Sequence, residues 1–416
     1  MNHIIFQTCK KIFVKFSLFL QIFLFLTFNK ISILNAQEGI SQTTIYAEKM
    51  LLRNQMVQIE IANAMNDLYN FKFESATTQF LWFKDKYPSH PLPYFLLGLT
   101  EWWKIMPNAE ETKYDKKFVA YMDSSVTFAY DLYKEDKNNA EATFFLSAAY
   151  AFKARLHAER GNWTRALNNT RSALSYMRLS EKKKEEVINP ELMFGEGLYN
   201  YYSVWLPENY PLVRPVMAFF KKGDKNKGLE LIKKAANNSY YTRQEALYFL
   251  VRIYRYEEEK PSLALPIATS LYQDYPDNAY FHRLYSSLLF STGQFYELEP
   301  VAKSIMDKIK LDYFGYEAIS GRYASYYLGI IYQNRGQIAE SENYYRQTIA
   351  FAEKLKTFDS YYYLSALREL GRFAHARKDY KSAKFYFNKL KKYGKKKNGT
   401  KEAKEKLKEY KRYKDD

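Results

Sequence analysis

From Tyr323 to Leu390 the apolar and small residues recur at intervals that predict two successive helical hairpins spelled alike. The first carries Leu328-Gly329-x-x-Tyr332, a break at Gly336-Gln337-Ile338, then Ser341-x-x-x-Tyr345. The second carries Leu370-Gly371-x-x-Ala374, a break at Lys378-Asp379-Tyr380, then Ala383-x-x-x-Phe387. Intervals of three and four place each set on one helical face. Gly329 and Gly371 let the two helices approach, Ser341 and Ala383 do the same from the other side, and Tyr332, Tyr345 and Phe387 fill the remaining space. A single hairpin cannot bury its apolar faces alone, so such units must stack.

Fragments of the same spelling run back along the chain. Ala76-x-x-x-Phe80 is followed by Pro88, Leu97-Gly98 opens a further helix, and a polar interruption spans Pro107 to Tyr114. Leu146-Ser147-x-x-Tyr150 precedes a break at Gly161-Asn162-Trp163 and then Ala166. Ala264 with Pro276, and Gly293-Gln294-Phe295 with Leu298, sit one 34-residue period apart. The pattern resembles the tetratricopeptide repeat, with Leu-Gly-x-x-Tyr on its first helix and Ala-x-x-x-Phe on its second. That resemblance implies an all-α solenoid of about eight antiparallel helix hairpins, a superhelix whose first helices line a concave surface that commonly holds a peptide.

The predicted organisation is a signal peptide over 1–36, helical hairpins over 37–180, an irregular connector or insertion over 181–222, a second array over 223–394, and a basic capping helix or tail over 395–416. Lys10, Lys11 and Lys15 precede a mostly apolar run from Phe16 to Phe28, and Leu34-Asn35-Ala36 resembles a cleavage site. As a helix that run spans about 20 Å, short of the roughly 30 Å hydrocarbon core, so no transmembrane segment is expected after cleavage. Export to a bacterial periplasm or cell envelope, or further secretion, is the expectation, with an uncleaved anchor as the alternative. Cys9 is the only cysteine, so a cleaved chain would carry no disulfide, thiol nucleophile or zinc–thiolate site.

Charge changes the picture less than its total implies. Of the net +17, Lys10, Lys11, Lys15 and Lys30 hold four charges in the leader, and Asn388–Asp416 carries 13 Lys/Arg against 5 Asp/Glu. Basicity therefore sits in the tail, and no nucleic-acid partner is expected. Ala403, Leu407 and Tyr410 form a narrow apolar stripe there, which suits a cap on the last repeat. Peripheral contact of this basic tail with an anionic envelope surface is the weighed alternative.

Catalytic chemistry is not spelled. His90, His157, His282 and His375 stand far apart, with no metal-ligand spacing, phosphate loop or nucleophile elbow, so no catalytic, metal or cofactor residues and no enzyme activity are expected. His90, between Ser89 and Pro91, reads as a solvent-facing turn residue. Aligning the first helices puts Tyr248, Arg252, Arg255, Tyr280, Arg283, Tyr323, Tyr326, Asn334, Arg368, Arg372 and His375 on one face. Tyrosine gives rigid contact area and arginine suits carboxylates, which predicts a groove for an acidic peptide or chain terminus on a protein-binding scaffold. The alternative is glycan stacking on exposed aromatics, as in surface glycan-binding proteins with similar repeats; of the pair Trp102-Trp103, at least one is expected in the core.

Overall fold

The computed structural model describes residues 50–181, 189–211, 214–217, 221–394 and 400–412, and these are all-α with no β-strand among them. The expected leader over 1–36 lies outside the described residues. Packing divides the chain into two units, one ending at Ile253 and the other running from Tyr254. This boundary falls within a five-residue π-helical turn, Ile253–Glu257.

The first unit holds α1 (Gln55–Glu60), α2 (Ala62–Tyr69), α3 (Phe73–Lys86), α4 (Pro91–Ile105), α5 (Asp115–Glu135), α6 (Ala140–Glu159), α7 (Trp163–Glu181), α8 (Asn189–Asn209), α9 (Arg214–Met217), α10 (Lys225–Asn238) and α11 (Arg243–Arg252). The second holds α12 (Pro261–Asp274), α13 (Ala279–Ser291), α14 (Phe295–Lys310), α15 (Ala318–Asn334), α16 (Ile338–Lys354), α17 (Tyr361–Ala376), α18 (Tyr380–Gly394) and α19 (Thr400–Arg412). In each unit helices pack chiefly on their sequence neighbours, and α4 on α6, α13 on α15 and α15 on α17 add contacts between alternate helices. That pattern is a helical-repeat stack. Asn189–Asn209 forms a long helix that pairs with α10.

One turn recurs in both units. Phe71, Gly161, Gly293, Gly336 and Lys378 all have positive φ, and each lies two residues before a helix opening on Phe73, Trp163, Phe295, Ile338 or Tyr380. The residue after each donates its N–H to the carbonyl five positions back, as Gln337 does to Tyr332 at 3.0 Å. This closes the first helix of the hairpin with satisfied carbonyls. The small residues act as the spelling predicts. A Cβ on Gly329 would lie 2.7 Å from the Tyr345 ring, and one on Gly371 would lie 2.8 Å from the Phe387 ring.

The inner face of the first unit is closed by its own chain. Glu191 on α8 accepts the backbone N–H groups of Tyr240, Tyr241 and Thr242 at 2.7, 3.0 and 2.9 Å, capping α11 at a distance. Tyr240 in turn donates its hydroxyl to the Gln58 carbonyl at 2.6 Å, and Trp103 Nε1 donates to Glu245 at 3.1 Å. Leu52 N donates to the buried Glu141 at 2.8 Å. With α11 on one side and α5 and α6 on others, α4 is buried almost all round, which explains its apolar run from Leu92 through Phe95 and Leu96 to Ile105.

One sequence reading changes here, that of His90. His90 is buried, not solvent-facing: its Nδ1 accepts Leu92 N at 3.1 Å as the N-cap of α4, and Nε2 faces Glu141 at 3.3 Å. Of the pair Trp102-Trp103, expected to place at least one ring in the core, both are core. Glu257, in the π-helical turn, has a buried carboxylate oxygen.

Candidate functional site

The eleven aligned groove positions separate into three groups. Tyr248 and Arg252 belong to the closed interior of the first unit. The buried Tyr248 hydroxyl accepts from Arg155 Nη2 at 3.1 Å and from Arg252 Nη1 at 3.2 Å, and the Arg155 guanidinium lies 4.6 Å from the Trp102 ring centre. These side chains knit the closure together.

At the far end of the second unit, Arg368, Arg372 and His375 are engaged by their own chain. Arg368 Nε donates to Glu369 at 2.9 Å. Arg372 forks onto Glu402 of α19 through Nε and Nη2, both at 2.7 Å. Lys406 donates to His375 Nε2 at 3.1 Å, which leaves Nδ1 to bond the Tyr410 hydroxyl at 2.8 Å. The apolar stripe residues Ala403 and Tyr410 are buried, so α19 caps the stack and covers this part of the face. Asn334, the last residue of α15, is exposed.

The remaining positions converge. Arg255 from the π-helical turn, Tyr280 and Arg283 from α13, and Tyr323 from α15 are all half-buried within the second unit. Arg255 donates to the Ser287 hydroxyl and, at 3.4 and 3.3 Å, to the carbonyls of Leu284 and Ser287. Arg283 Nη1 donates to Ser320 Oγ at 3.2 Å, and its guanidinium lies 5.3 Å from the Tyr280 ring centre. Tyr326 is buried, its hydroxyl 3.4 Å from that of Tyr361 and its ring 5.0 Å from Tyr362.

Sequence alignment of the first helices missed Arg322, Tyr256 and Tyr362. The Arg322 guanidinium sits 5.4 Å from the Tyr323 ring centre and 5.8 Å from that of Tyr362, while Arg255 lies 4.9 Å from Tyr256. The signal was present, because Arg322 is one helical turn before Tyr326 and so shares its face. Burial, opposed in part by Tyr323 and Tyr280 and reinforced by neighbouring Arg322, pulls the Arg283 pKa down. Burial also raises the phenol pKa of Tyr326, Tyr327 and Tyr362, so these hydroxyls stay protonated and can donate.

The site therefore offers fixed cations and phenol donors. Among the described residues no group of three or more His, Cys, Asp or Glu side chains is placed to hold a metal ion. Comparison with protein-family models returns no match, and neither does a search of curated proteins.

Proposed function

We propose that this chain is a non-enzymatic interaction scaffold of the tetratricopeptide type, exported to a bacterial envelope, that binds a peptide or protein segment on the first-helix face of its second unit. The observation that carries this reading is the convergence of Arg255, Tyr280, Arg283 and Tyr323, from three successive elements, into one half-buried patch. Rigid aromatic and guanidinium groups held by serines and by a buried tyrosine layer supply contact area at low entropic cost. The first unit has its own inner face occupied by Tyr240, Tyr241 and Tyr248. Stacking of sugars would have to rely on other aromatics than Trp102 and Trp103, since of the five tryptophans only Trp82, at 55%, is exposed.

The test is site-directed photo-crosslinking of the intact chain in its native envelope fraction. A benzoylphenylalanine in place of Tyr280 should capture a polypeptide that the same group in place of the exposed Phe385 does not. Retention of polysaccharide with no polypeptide captured at Tyr280 would overturn the reading in favour of glycan binding.

A further inference from the structure

Three guanidiniums, from the π-helical turn, α13 and α15, each lie against a tyrosine ring: Arg255 on Tyr256 at 4.9 Å, Arg283 on Tyr280 at 5.3 Å and Arg322 on Tyr323 at 5.4 Å. Arg322 is only 8% exposed; Nη1 donates to Thr357 Oγ1 at 2.7 Å, and Nε is buried without a hydrogen-bond partner. Arg255 is held by the Ser287 hydroxyl and by carbonyl oxygens, all neutral groups. Arg283 Nη1 donates to Ser320 Oγ at 3.2 Å, two residues from Arg322 on α15, and burial, with repulsion from Arg322 adding to it, lowers the Arg283 pKa. Guanidinium groups do not deprotonate in proteins, so this repulsion persists in the folded chain. Buried charge is ordinarily offset by an opposite charge, and the neutral partners of Arg255 and Arg322 do not supply one.

The chemistry of the cluster narrows what would complete it. A carboxylate brings one negative charge and two oxygens. A phosphoryl monoester brings about −1.5 to −2 and three terminal oxygens at neutral pH, closer to what three cations can share. Arginine forks match phosphate geometry through paired N–H bonds. Tyr256 lies beside Arg255, and Tyr323 and Tyr362, 4.7 Å apart, lie beside Arg322; their phenols can donate to oxygens the forks leave free.

We propose that Arg255, Arg283 and Arg322, with Tyr323, form a binding site for a phosphoryl group, either inorganic phosphate or a phosphomonoester. This rests on the groove reading above and specifies the chemistry of what the groove admits.

The experiment is calorimetric titration of the intact chain with inorganic phosphate, glycerol 3-phosphate and succinate, at low and matched ionic strength. Saturable binding of both phosphates, or of either alone, is expected, with succinate at least tenfold weaker; which of the two binds more tightly identifies the source as free anion or ester. Arg322→Gln should weaken phosphate binding by tenfold or more. Without phosphate, Arg322→Gln should melt no lower than the parent, because it removes a like charge from the cluster. Arg322→Lys, which keeps the charge and loses the fork, should bind with intermediate affinity. Equal binding of succinate, absence of any phosphate binding, or an Arg322→Gln variant that binds phosphate as the parent does would each overturn the proposal. If phosphate fails to bind while the Tyr280 crosslink still captures a polypeptide, the phosphoryl site falls and the groove stands; if the crosslink fails as well, both fall.

Discussion

At the scale of single residues, the first unit depends on carboxylates placed where the backbone has no other partner. Glu191 satisfies three consecutive N–H groups ahead of α11, a position where Thr242 makes no side-chain cap of its own. Removing it leaves buried donors unsatisfied, at about 1–3 kcal/mol each where water cannot reach them. Glu191→Ala is therefore expected to cost about 4 kcal/mol in urea unfolding of the intact chain, whereas Glu191→Gln, which keeps an acceptor oxygen, should lose less than half of that. Equal losses in the two variants would mean that the side chain acts by filling space. Glu141 has the same kind of role, joining Leu52 N to the His90 cap. Neither role could be read from sequence, because a lone glutamate on a helix looks like solvated charge until its distant backbone partners are known.

At the scale of helices, legibility follows how local the cause is. The turns at Gly161, Gly293, Gly336 and Lys378 were visible because a left-handed residue two positions before a large apolar one is a short-range pattern. Phe71, like Lys378, makes the same turn without a glycine to mark it. The pairs Gly329 with Tyr345 and Gly371 with Phe387 were visible for the same reason, being separated by a single turn region. The contact between α8 and α10 was not. A Cβ on Gly228 would lie 2.5 Å from Tyr201 N and 2.8 Å from the Gly197 carbonyl oxygen, so two backbones touch there. A Cβ on Gly98 would instead meet Met122 Cε at 2.8 Å, the mobile end of a flexible chain. Gly228→Ala is thus expected to destabilise by about 3 kcal/mol, since backbone must move. Gly98→Ala should change stability by less than about 1 kcal/mol, because its helix-propensity gain offsets the shift of Met122. Urea midpoints of the two variants decide this, and similar losses would refute the backbone-contact account. The arginine–tyrosine cluster was legible in part: helical spacing put Arg255, Tyr280, Arg283 and Tyr323 on one face, but nothing local could show that α19 occupies Arg372 and His375 or that Tyr248 packs inward against Trp103 of α4 and Arg155 of α6.

At the scale of the whole molecule, the two units carry buried titratable groups of opposite sense. In the first, burial raises the Glu245 pKa from 4.5 to about 7, against the opposing pull of Arg155 and the Trp103 hydrogen bond. A raised folded pKa means that the folded state holds the proton more tightly, so this contribution is full below pH 4.5 and is lost as pH rises towards 7. In the second, burial lowers the His282 pKa from 6.5 to about 3, helped by Lys308. The Val301 carbonyl, at 3.1 Å, requires hydrogen on Nε2, and Nδ1, at 3.0 Å, then accepts from Tyr316. Neutral His282 is therefore built in, and its contribution is present above pH 6.5 and lost as pH falls through the window down to about 3. Each group changes stability by about 1.4 kcal/mol per pH unit inside its window. Acidification from about pH 7 to about pH 5 should thus slow hydrogen exchange in α4 and α11, relative to intrinsic rates, and accelerate it in α13 and α14. Glu245→Gln should flatten the first trend and His282→Gln the second, each without altering the other. A common trend in both units that survives both substitutions would show that surface charge, and not these two buried groups, governs the response to pH.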